Sequence, residues 1–167
     1  MPHQHTAQGD AVHVYLEFAN LRVHCRKYLV ASNYAEAART VIAAMHAQVG
    51  ELKVDVNGLA LRGVLVRHLV MPGLLEDTRQ IMRWIAENLS RDTYVNVMDQ
   101  YYPAHKAETE PRFAEINRRT SDHEFCHARE LARGAGLWRL DTRWRNVIPH
   151  GGPVWLPVMR QRAVCTG

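Results

Sequence analysis

The stretch Gly63-Val-Leu-Val-Arg-His-Leu-Val-Met71 decides the fold. It is apolar and valine-rich, too short for an ordinary helix, and stopped by Pro72 and Gly73. A run of this kind, bounded by turn residues, reads as a buried strand of a parallel sheet. Arg67 and His68 interrupt it. Burying a charge without a partner is costly, so the interruption marks a candidate ligand-facing position. A structural ion pair with a neighbouring strand is the plain alternative for Arg67.

Toward the amino end, Tyr34, Ala38, Val41, Ile42, Met45 and Val49 recur at helical spacing, which predicts a helix over 34–49. Asn33 with Glu36 three residues on fits a capping box, and Gly50 fits a stop. Asn57-Gly58 marks a tight turn. Toward the carboxyl end, Ile81, Ile85 and Leu89 with Met82 give the apolar stripe of a helix over 76–89. A short strand is expected at Tyr94–Met98 and a long loop over 99–119. Ser121 and Glu124 form a second capping box, ahead of a helix bearing Phe125, Ala128, Leu131 and Ala132. Gly134 and Gly136 end that helix, Leu137–Leu140 reads as a last strand, and 12–16 as a first one.

Strands alternating with helices imply right-handed crossovers and an α/β fold with a parallel sheet. Three or four such units amount to half of a (β/α)8 barrel. The expectation is a partial parallel β/α barrel, TIM-barrel-like, over 34–140. Residues 1–33 form a diverged amino-terminal segment and 141–167 an irregular basic tail. An open half barrel exposes unpaired strand edges, which predicts an incomplete object or a homo-oligomer.

At 167 residues the chain suits one domain. Apolar runs fall short of a membrane span, and Met1–Asp10 is polar and unlike a secretory leader. These features make the cytoplasm the expected address, with no membrane partner. Net charge is +4, which permits an anionic partner without requiring one. Cys25, Cys126 and Cys165 are far apart and are expected to be reduced. Residues 133–162 hold six arginines, one acid and three tryptophans. Without a nucleic-acid-binding motif beside it, that mixture reads as a solvated cover over an open edge, and no nucleic acid is expected.

The strand run from Gly63, then Glu76-Asp-Thr78, Trp84-Ile-Ala-Glu-Asn88, Asp92-Thr-Tyr-Val-Asn-Val-Met-Asp-Gln-Tyr101 and Ile116-Asn-Arg-Arg119, together resemble radical S-adenosylmethionine (AdoMet) proteins. The similarity is to those related to pyruvate formate-lyase activating enzymes, and to their carboxy-terminal half. It covers 34–140 in order and spacing.

The resemblance implies AdoMet and a [4Fe–4S] iron–sulfur cluster as cofactors, and a glycyl-radical-type protein substrate as partner. In such proteins a Cys-x-x-x-Cys-x-x-Cys loop supplies three thiolates to the cluster. This chain has no such loop, and its scattered cysteines do not replace one. Where the family carries Tyr-x-Pro-Asp-Phe-Lys, this chain reads Tyr15-Leu-Glu-Phe-Ala-Asn20, so neither the acid nor the lysine is matched. The chain alone is therefore expected to be inactive, working with a missing amino-terminal half. The alternatives are a non-catalytic binding or scaffold protein and a truncated gene remnant.

No residue is assigned a catalytic or metal-binding role. The candidate cofactor-binding residues are Arg67, His68, Asn96, Gln100 and Tyr101. The resemblance implies that Arg67 meets an anionic part of AdoMet. Asn96 and Gln100 follow from polar alternation at a strand's carboxyl end, where barrel ligands bind; ordinary strand-end polarity is the alternative. Tyr101, Tyr102 and Lys106 open the long loop that would cover the site. His123, Cys126 and His127 share one helix face at metal-ligand spacing, with no fourth ligand evident.

Overall fold

The computed structural model describes residues 27–28 and 33–142, together with the backbone of 11–16. Its elements are β1 (Ala11–Leu16), α1 (Tyr34–Val49), β2 (Lys53–Val54), β3 (Ala60–Leu69), α2 (Leu75–Asn88), β4 (Tyr94–Met98), α3 (Lys106–Thr109), a 3₁₀ helix (Pro111–Ile116) and α4 (Asp122–Gly134).

β3 is the centre of the sheet. It pairs in parallel with β1, Val14 opposite Val66 and Tyr15 opposite Arg67. On its other side it pairs in parallel with β4, Val66 opposite Val95 and Arg67 opposite Asn96. Beyond β4, Leu140 makes a parallel bridge to Val95. There the Val95 amide donates to the Arg139 carbonyl at 3.0 Å, and the Asp141 amide to the Val95 carbonyl at 2.9 Å. The parallel segments thus lie side by side in chain order. The expected strand at 137–140 is reduced to that single bridge.

Side chains alternate along a strand, and the core follows that alternation. Val64, Val66, Val95 and Val97 face the helices and pack with Ile42 of α1, Ile81, Met82 and Ile85 of α2, and Phe125, Ala128 and Ala132 of α4. One face of the sheet therefore carries all three long helices. Each fully buried apolar side chain here contributes roughly 1.5–3 kcal/mol. The opposite face carries Leu65, Arg67 and Leu69 beside Tyr94, Asn96 and Met98.

Four local readings are corrected. Asn33 precedes α1 without a capping hydrogen bond from its side chain, and Val41 is half exposed, off the buried stripe. Residues 99–119 contain α3 and the 3₁₀ helix, because Phe113 and Ile116 pack with Met71 and Leu74 in a second apolar cluster. The expected Asn57-Gly58 turn does form, and it closes a hairpin in which β2 pairs antiparallel with the start of β3. Its Asp55 carboxylate accepts from the amides of Asn57 at 2.9 Å and Leu59 at 2.8 Å. Cys126 is disulfide-bonded rather than reduced, its partner sulfur lying outside the described residues.

Gly63 is needed where the hairpin joins the parallel strand. Its φ is +117°, and a Cβ there would stand 2.2 Å from the Glu51 carbonyl oxygen. A side chain is excluded on both counts.

Candidate functional site

Arg67 and Asn96 are register partners on adjacent parallel strands, both on the face away from the helices. Arg67 is half-buried, and its Nη2 donates to Met98 Sδ at 3.1 Å. This guanidinium therefore lies across the carboxyl-terminal end of β4. A planar cation beside an amide and a thioether is equipped to hold an anionic, hydrogen-bonding ligand.

His68 faces the other way. It is buried among the helices, where its Nε2 meets Thr78 Oγ1 of α2 at 2.9 Å. A crevice lined by His68, Met71, Asp77 and Thr78 lies on that side. The structure thus brings Arg67 and Asn96 together and leaves His68 on the opposite face. Gln100 is exposed beyond the end of β4.

Tyr101 packs against the second apolar cluster beside Leu69 and Tyr28, and burial pushes its hydroxyl pKa up. Tyr102 is exposed with the Arg119 guanidinium 4.9 Å from its ring centre. Lys106 starts α3 and is exposed. Tyr28 donates to Glu115 at 2.5 Å, and Lys27 pairs with the same carboxylate. Burial, then the Glu115 contact, raises the Tyr28 pKa. The hydrogen bonds from Lys27 and Tyr28 hold Glu115 down at about 2.

Side chains of the segment 118–124 complete the end of the sheet, through contacts that the sequence reading did not expect. Glu124, already placed as the capping-box acid, also accepts from the Gly73 amide at 2.7 Å. Arg118 grips it with both terminal nitrogens, at 2.8 and 2.7 Å. Thr120 Oγ1 donates to the Val70 carbonyl at 2.6 Å. The Arg118 fork is the first cause holding the Glu124 carboxyl well below the ordinary glutamate range. The sequence signal was the Asn117-Arg118-Arg119 stretch; Arg118 finds Glu124 six residues on, while Gly73 comes from 51 positions away.

The donor sets of the two implied cofactors differ in fit. Arg67 and Asn96 carry hydrogen-bonding groups of the kind an AdoMet-like ligand needs, and Tyr101 packs in the second apolar cluster. Cys126 is the one cysteine among the described residues. Cys126 sits half-buried on α4 and is tied up in its disulfide. Among the described residues no group of three or more His, Cys, Asp and Glu side chains is placed to hold a metal ion. His123 and His127 meet edge to face at 6.1 Å between ring centres. No helix among the described residues is long and apolar enough to cross a membrane.

No family model matches the chain, and no solved structure matches it. An uncharacterized protein of Methanocaldococcus jannaschii is 46% identical over 75 residues. That match covers 44% of this chain and 21% of the archaeal protein, so the chain corresponds to about a fifth of that relative's length.

Proposed function

We propose that this chain is a radical AdoMet activase-like half domain of the glycyl-radical-enzyme activating type. Its residues 34–140 form part of a parallel β/α barrel. The chain supplies one wall of an AdoMet site and is inactive alone, since it brings no cluster ligands. A separate amino-terminal half would supply the cluster, and the assembled protein would act on a glycyl-radical-type protein.

The supporting observation is the register of Arg67 with Asn96 on adjacent parallel strands, on the sheet face opposite the three long helices. Parallel strands laid side by side in chain order are what a barrel wall requires. Arg67 meets the anionic part of the ligand, Asn96 its hydrogen-bonding groups, and Tyr101 closes the rim. Gln100 reaches the same rim from solvent. His68 keeps a packing role.

Calorimetry with AdoMet tests the site. Wild-type chain is expected to bind, and Arg67→Ala to weaken binding at least about tenfold, the scale of a lost charge-assisted contact. Equal affinity of the two proteins would remove Arg67 from the site. Anaerobic reconstitution with iron and sulfide tests the missing cluster. A stoichiometric [4Fe–4S] cluster would overturn the claim of inactivity. A cytoplasmic address predicts that the Cys126 disulfide is reduced in cells. Differential alkylation reads this, and a retained disulfide there points to an oxidising compartment.

A second reading, a non-catalytic binding or scaffold protein, is favoured by the hairpin. Val54, Val56, Leu59 and Leu61 are all exposed on it. Light scattering separates the readings: concentration-dependent assembly without AdoMet binding supports the scaffold.

A further inference from the structure

We infer that Arg118 and Glu124 are positioning residues that hold the turn between β3 and α2 in place, and through it the ligand-facing end of the sheet. The role in ligand binding rests on the AdoMet-site reading above; the mechanical role does not.

The Glu124 carboxylate does more than a helix cap needs. A capping box asks its acid to reach the amide of the cap residue, and Glu124 does so at Ser121 N, 2.9 Å. It also accepts from Ser121 Oγ at 2.8 Å, from both terminal nitrogens of Arg118 and from Gly73 N. Gly73 stands 51 positions away in the chain. Its φ is +77°, a left-handed turn conformation. Thr120 takes the carbonyl of Val70. The turn is thus gripped at its start and near its end by side chains of one short segment, 118–124.

This turn directly follows Arg67, His68 and Leu69. Its Met71 and Leu74 pack beneath Phe113 and Ile116, with Leu69 and Tyr101 alongside. Moving the turn therefore moves the floor on which Tyr101 rests. Arg118 is itself half exposed, so its charge is not required by burial. What Arg supplies and Lys does not is a planar fork that meets both carboxylate oxygens at once.

Full-length chain carrying Arg118→Lys or Glu124→Gln tests the role, the first being the variant safer for folding. Hydrogen exchange should report the backbone amides of Val70, Met71, Gly73 and Leu74, and calorimetry the AdoMet affinity. Exchange in the turn is expected to rise about tenfold while that of β4 stays unchanged. AdoMet binding is expected to weaken about fivefold.

Unchanged exchange in the turn in both variants overturns the mechanical role. So does exchange rising equally in the turn and β4, which marks general destabilisation. A loosened turn with unaltered AdoMet affinity overturns the link to the site. If wild-type chain binds no AdoMet, the site reading fails alone and the exchange data still decide the clasp.

Discussion

Glu124 joins three segments through one side chain, and its carboxyl is held in the charged form by Arg118 and by the amides of Ser121 and Gly73. A carboxyl whose pKa is lower in the folded chain than in the unfolded one stabilises the fold above the unfolded value, about 4.3. It loses that contribution as the pH falls toward the folded value. Glu124→Gln should therefore be about 1–3 kcal/mol less stable than wild type near neutral pH. The gap in denaturant unfolding should narrow as the pH drops below the ordinary glutamate range. A gap that stays constant with pH would mean the charge is unimportant. At Gly63, both the positive φ and the nearby Glu51 carbonyl forbid a side chain. Gly63→Ala should lose at least about 2 kcal/mol in the same measurement. Single residues were legible where their partner lies within a turn of helix, as Ser121 and Glu124 do. The Gly73 contact was not, because 51 intervening positions hide which surfaces meet; the Arg118 contact was not, because it spans six residues across the start of a helix and matches no helical spacing. Arg67 and His68 stood out together as polar residues in an apolar run, yet only the pairing of the strands shows them facing opposite layers.

The two expected capping boxes differ in the folded chain. Ser121 accepts from the Glu124 amide and Glu124 from the Ser121 amide, so α4 carries the full reciprocal pair. Asn33 makes no such bond. Ser121→Ala should destabilise by about 0.5–2 kcal/mol, and Asn33→Ala should stay within about 0.5 kcal/mol. Thermal unfolding of the two variants checks the contrast, and equal losses would contradict it. The strands and long helices were readable because their apolar periods match the faces they bury: β4 spans the expected residues, and α2 lies within a residue of the expected bounds. The segment 99–119 has no period of its own, since α3 and the 3₁₀ helix are short and set by docking onto Met71 and Leu74. β2 escaped for a related reason. Two residues carry too little pattern to mark a strand.

At the scale of the molecule, a single layer of helices covers a sheet whose parallel segments follow chain order, with a hairpin standing out from the amino-terminal end of β3. Val56 and Leu59 on that hairpin are exposed, so Val56→Thr and Leu59→Thr together should alter unfolding by no more than about 0.5 kcal/mol. A larger loss would show that something buries the hairpin in solution. The alternation at Arg67 and His68 has a consequence for how the sheet assembles. A slip of β3 by one position would exchange the two layers seen by every side chain on it. The guanidinium would then be thrust among Ile81 and Ile85, and the imidazole would lose Thr78. Neighbouring valines tolerate such an error with little penalty, since apolar groups occupy both sides of the strand there. The two polar residues therefore act as a key for alignment, rejecting the misthreaded sheet through the solvation of a cation rather than through shape.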